Sequence, residues 1–399
     1  MAVNKFDNSM FDAGTIGTTA NKLLQLDGSA KIPAVDGTLL TGIPSSFTKS
    51  ASDPVVTTNP SGGVGTIWIN TTSGETYCCT DATAGANVWT NIGAGSGNIA
   101  LTPNYQGSTY GYDTGGYTPG TGARDIIEKY SYTSDGNATD VADLSTNTTT
   151  YICSGISNND SSQAYIFPGK QNAPYTTAVQ KHSLTSATNG TLANDMATAS
   201  QWKGRAVSGT HGYAYGQHLG VDNPPATIEK FQMATEADAT DVGDLTEGRR
   251  GPNSNNSADY GWCTGGCPTD GSRSNIIDKF PFASDSNATD IANLSSTKDG
   301  ANGQSSEPHG YCCGGQQIWS FITHIDKFAF ESTANATNIG SLTRTTSHTS
   351  PSQSTTYGYN VGGWAPNNNI EKFSFTTDGN STDIGDMTVQ RSQAAGYQI

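Results

Sequence analysis

The chain has 399 residues, with 35 acidic against 20 basic side chains, a formal net charge of −15 and a pI near 4.6. No basic stripe exists to neutralise phosphates, which leaves out nucleic acid as a partner. No apolar run approaches the ~18 residues of a membrane span, and the start MAVNKFDNSMF lacks the basic head and apolar core of a secretory signal; synthesis in a cytoplasm without membrane insertion is expected.

Residues 1–48 contain TTANKLLQLDGSAKIPAVDGTLLTGIP, where Asp27-Gly28 and Asp36-Gly37 punctuate short apolar stretches. Asp-Gly supplies the positive φ of tight turns, so short strands and sharp turns are expected here and not a helix. Such a segment is too small for a core of its own, which predicts an attachment or oligomerisation role. Residues 49–92 read as a small β module. Gly65–Asn70 alternates as one strand, Ser73-Gly74-Glu75 turns, Thr76–Thr80 returns and Asn87–Thr90 is a third strand, with Trp68 and Trp89 as the expected core.

The run LLQLDGSAKIPAVDGTLLTGI resembles a segment near the N-termini of tail-fibre and other appendage proteins of marine tailed bacteriophages, and the module after it is similar to one common in the same proteins. The resemblance implies a virion structural protein made in the host bacterial cytoplasm and held to other virion proteins by residues 1–48. It also implies a homo-oligomer, with a trimer favoured.

Residues 93–98 (GAGSGN) read as a Gly/Ser linker. From 99 to 399 one unit recurs, with an aromatic at Tyr112, Tyr165, Tyr213, Trp262, Tyr311 and Tyr359, 48 to 53 residues apart. A Gly-Gly pair follows in four copies, then a second core such as IDKFPF, then a third such as NATDIANL. Repeats of this length, built of short strands and glycine turns, predict an all-β fold: a six-bladed β-propeller, each unit needing neighbours to bury both faces of its sheet. The order of signals resembles kelch repeats, although the usual strand-four tryptophan is missing. A lysine holds one position in all six units (Lys129, Lys181, Lys230, Lys279, Lys327, Lys372), with an acid beside it in five, read as an architectural ion pair or a solvated strand edge. The C-terminal Ala394–Ile399 is expected to join the strands between Thr109 and Leu144, which would close the ring and remove exposed edges.

Signals of chemistry are sparse. The seven cysteines match no zinc pattern, no metal or cofactor is expected, and the Ser-Asp-x-Asn turns lack the glutamate of a calcium loop. Sequons at Asn137, Asn287, Asn335 and Asn380 read as turn chemistry. No nucleophile, zinc-protease or Walker motif is present, so an enzyme is not expected, although a glycosidase pair needs no sequence motif. Two alternatives stand beside a receptor-binding fibre: a decoration protein of the particle, and a polysaccharide-degrading tailspike. The loops after the glycine pairs differ from copy to copy while the Ser-Asp-x-Asn turns vary little, which puts recognition on the loop face. Its candidate ligand-binding residues are Tyr117, Tyr175, His218, Trp319 and Trp364, flat rings among amides that suit a surface glycan or protein of the host.

Overall fold

A computed structural model describes residues 47–93, 105–145, 154–158, 162–167, 169, 175–220, 223–269, 271–364 and 367–399. Most of the expected attachment segment, the linker from residue 94 onward and Cys153 lie outside them. The described chain is all-β, without a helix, and falls into two compact units, Met1–Leu101 and Thr102–Ile399.

In the first unit β1 (Phe47–Ser50), β2 (Ile67–Asn70), β3 (Thr76–Asp81) and β4 (Val88–Asn91) form one sheet in that order. Its last three strands follow the alternation read from the sequence. β1 runs parallel to β2 and spans position 48/49, where the module was expected to begin. The core is Trp89, fully buried beside Tyr77 and Cys79, with Trp68 edge-on at 5.8 Å and its indole N–H donating to Ser52 O at 2.9 Å.

The second unit runs β5 (Tyr110–Thr114), the short β6 (Tyr117–Thr118) and β7 (Gly122–Ala123), β8 (Ile126–Ser131) and β9 (Thr139–Asp143). Next come β10–β13 (Ser154–Asn158, Gln163–Phe167, Ala178–Ser183, Thr191–Asp195) and β14–β17 (Gly204–Val207, His211–Tyr215, Thr227–Gln232, Thr240–Asp244). Then follow β18–β21 (Asn253–Asn256, Tyr260–Thr264, Ile276–Pro281, Thr289–Asn293) and β22–β25 (Asn302–Ser305, His309–Cys313, His324–Ala329, Thr337–Ser341). The chain finishes with β26–β29 (Ser350–Gln353, Tyr357–Val361, Asn367–Ser374, Thr382–Arg391) and β30 (Ala395–Gln398). Five sheets are consecutive antiparallel meanders; the sixth has the order β30-β5-β8-β9, so the C-terminal strand completes the sheet that opens the unit. The first strands β30, β10, β14, β18, β22 and β26 lie against one another in that cyclic order.

Three repeated devices explain the sequence periodicity. In five of the six sheets the glycine before the aromatic of the second strand lies under the ring of the third strand, with Ala164 in its place in β11: a Cβ on Gly261 would come within 2.2 Å of the Phe280 ring, and Gly310 meets Phe328 in the same way. Only glycine permits that approach. In the third strand a bulge, as between Ile277 and Asp278, turns two consecutive residues inward, so the acid beside the repeated lysine is fully buried. The expected lysine–acid pair is therefore corrected: the two neighbours serve different partners. The buried acid meets a cation on the segment entering its own sheet, as Asp278 with Arg249 at 2.5 Å and Asp326 with Lys298 at 2.9 Å, while Glu371 accepts from Thr343 and Ser381 instead. Four of the six lysines reach the turn acid of the next sheet, as Lys327 to Asp378 at 2.9 Å and Lys372 to Asp135 at 2.5 Å, whereas Lys129 and Lys279 lie over the rings of Tyr110 and Tyr260.

The third device is the Asn of the Asn-Ala-Thr turn. Its side-chain oxygen accepts the backbone N–H of the preceding sheet's outer strand at 2.9–3.1 Å: Asn189 from Asp143, Asp238 from Asp195, Asn287 from Asp244, Asn335 from Asn293, Asn380 from Ser341 and Asn137 from Asp386. The sequons thus belong to an inter-sheet clip, and the last clip returns from the final sheet to the first.

Candidate functional site

The strand order places the loops after the glycine pairs and the segments entering the first strands at one end of the unit, and the Ser-Asp-x-Asn turns at the other. At the turn end the space between the first strands is filled by Tyr105, whose carbonyl accepts from the amides of Gln398 (3.0 Å) and Gln353. Midway, Arg205 reaches across from β14 to Pro351 O on β26 at 3.2 Å. The cavity above that arginine is only about 70 Å³, the volume of about two waters.

At the loop end the backbone itself narrows the opening. Gly251 N donates to Trp202 O (3.1 Å), Gly300 N to Gly251 O (3.0 Å), His348 N to Gly300 O (2.7 Å) and Gln393 N to His348 O (2.9 Å). All five residues have left-handed backbone, with φ from 53° to 60°. Glycine adopts it freely, whereas an L side chain costs about 1–2 kcal/mol there. Two copies of the repeat use glycine and three carry Trp202, His348 and Gln393.

Around this inner set lies a second, the residues that follow the four glycine pairs and, in one further copy, Gly216-Gln217. Tyr117, His218, Cys267 and Gln316 exchange backbone hydrogen bonds in both directions with Ser392, Gln201, Arg250 and Asp299, and Trp364 N donates to Ser347 O at 2.8 Å. Three of the five residues singled out from the sequence therefore occupy one repeat position.

Between the two sets, above Gly251, sits a cavity of about 220 Å³. A Cβ on Gly251 would meet nothing closer than Gly300 N at 3.7 Å, so glycine leaves the floor open. The walls are rings: Trp202 stacks on His218 at 5.0 Å and lies 6.1 Å from His348, which is 6.2 Å from Trp364. Trp364 is 44 % exposed. The rest of the lining is polar, with Arg250, Arg273, Asp299, Gln316 and Gln393. The Arg250 guanidinium stands 5.6 Å over the Trp202 ring, and Arg273 Nε pairs with Asp299 Oδ1 at 2.5 Å. Burial raises the Asp299 carboxyl above its ordinary range, with Arg273 opposing it. Burial, with the nearby Arg273 charge, pushes the His348 imidazole down to about 4, so it is neutral at physiological pH, and Nδ1 lies 2.9 Å from Ser347 Oγ.

Of the sequence-predicted residues, this cavity takes Trp364 directly and His218 through its stack on Trp202. Tyr117 is half-buried at the equivalent position of another copy, and Tyr175 lies beside Gly220. Trp319 stands 94 % exposed at a loop tip beside Ile318. Neither Tyr117, Tyr175 nor Trp319 lines it. Trp202, His348, Gln393 and the two arginines were missed. The available signal was register: Trp202, His348 and Gln393 align with Gly251 and Gly300, and a bulky residue at a left-handed glycine position marks a retained side chain.

The chain matches no protein-family model, and no curated protein matches it. Among the described residues no group of three or more His, Cys, Asp or Glu could hold a metal ion. The six cysteines among the described residues are free thiols; burial pushes Cys312 up to about 11 and Cys263 up to about 12, which makes both poor nucleophiles.

Proposed function

We propose that the second unit is a six-bladed β-propeller and that the chain is a fibre-type component of a tailed bacteriophage virion, anchored through residues 1–48 and presenting the loop end to the host surface. The cyclic order of the first strands and the clip from Asp386 to Asn137 support the propeller reading. The likeness of the N-terminal segment to phage appendage proteins supports the virion reading. The observation that carries recognition is the set of Trp202, His348 and Gln393 at left-handed positions where two other copies use glycine. Strain of that kind persists where the side chain is needed, and here the side chains border the cavity.

A binding role is favoured over a hydrolytic one because Asp299, already ion-paired, is the one carboxylate lining the cavity, whereas glycoside hydrolysis commonly uses two. The test has two parts. Labelled antibody against the chain should mark fibres on purified particles, and labelled full-length protein should bind host cells, with Trp364→Ala lowering binding at least tenfold. Particles without the chain, or undiminished binding by the folded variant, would remove the proposal.

A further inference from the structure

Resting on that recognition reading, we infer that the loop-end cavity takes one acidic sugar residue, a hydroxylated saturated ring bearing a carboxylate. The cavity of about 220 Å³ is on the scale of a single ring and not of an extended chain. Its accessible wall is the Trp364 indole, and indole faces pack against the apolar face of a sugar ring. The hydroxyls of such a ring need groups that both donate and accept, and the lining includes the side-chain amides of Gln316 and Gln393.

Charge selects the acid. The lining holds two arginines and one aspartate, with His348 neutral, so the cavity carries a net charge of +1 in a chain of −15. Arg273 uses Nε for Asp299 and Nη1 for Ser272 O at 2.8 Å, and the Arg250 guanidinium lies 5.6 Å over the Trp202 ring. A planar guanidinium fits a planar carboxylate in paired hydrogen bonds, and one negative charge brings the cavity to neutrality. A phosphate monoester would bring up to two charges and leave the site negative beside Asp299.

Full-length protein should be titrated calorimetrically with methyl D-glucuronide, N-acetylneuraminic acid, methyl D-glucoside and glucose 6-sulfate. At least one carboxylated sugar is expected to bind ten-fold or more tighter than the neutral glucoside, about 1.4 kcal/mol. Arg250→Gln should erase that preference while leaving weak binding of both, and Trp364→Ala should abolish both. Equal binding of acidic and neutral sugars, tighter binding of the sulfate, or a preference that survives Arg250→Gln overturns the inference. If none of the sugars binds while the protein still adsorbs to host cells through Trp364, the acidic-sugar assignment falls and the recognition reading stands. Adsorption independent of Trp364 removes the recognition reading itself.

Discussion

Tyr397→Ala probes how the last strand seals the second unit. Tyr397 is 1 % exposed, stacks on Tyr112 at 5.5 Å, and its hydroxyl engages Thr114 and the His182 ring. It also lies over Gly155, whose missing Cβ would fall 2.7 Å from its Cδ1, so the ring touches the adjacent sheet as well as its own. Truncating a buried aromatic costs about 3–5 kcal/mol. With an unfolding entropy of ~2.1 cal/mol/K per residue over Thr102–Ile399, that loss lowers the melting temperature by about 5–8 °C. Tyr397→Phe keeps the stack and loses the hydroxyl contacts, for about 1–2 kcal/mol. Calorimetry of the full chain, following the larger transition, reads both. A Tyr397→Ala change below about 1 kcal/mol would refute the reasoning, because such a residue would not be seated between two sheets.

Asp278→Ala should cost about 3–5 kcal/mol in urea unfolding, because Arg249, fully buried, loses its carboxylate; the double change Arg249→Met with Asp278→Leu should recover most of it. Asn287→Ala should cost about 1 kcal/mol by freeing the Asp244 N–H, whereas Asn287→Asp should be nearly neutral, since Asp238 already fills that role in another copy; equal losses in melting would contradict the clip. Burial lowers the His182 imidazole to about 4 from an ordinary 6.5, so its neutral form contributes stability above pH 6.5 that is lost as pH falls toward 4, on the order of 3 kcal/mol. Glu128 and Asp278, raised by burial, act in the opposite direction, favouring the fold at low pH and losing that contribution as pH rises through their folded values. His182→Gln should flatten the loss of stability between pH 6.5 and 4 in a pH series of melts, and an unchanged slope would count against it.

The sequence alone determined the repeat, its strand content and the pairing of the C-terminal strand with the first sheet. The first two follow from local rules (glycine before an aromatic, turn-forming Asn and Asp, apolar residues in short runs), and the third from the need to leave no exposed sheet edge. It also determined that His218, Tyr117 and Trp364 belong to variable loops, because they follow directly on a glycine pair or, for His218, on Gly216-Gln217 in its place. Tertiary structure decided partners. The acid beside each lysine and the lysine itself look like one pair in the chain, and a bulge sends them to different neighbours. The Asn of each outer turn looks like local turn chemistry, and its oxygen is spent on the sheet before it. Trp202, His348 and Gln393 are scattered over nearly two hundred residues, and only head-to-tail backbone hydrogen bonds between entering segments bring them to one opening. Strand periodicity is local, since side chains alternate along one chain, whereas a cavity is made by residues from different sheets whose convergence depends on how those sheets pack.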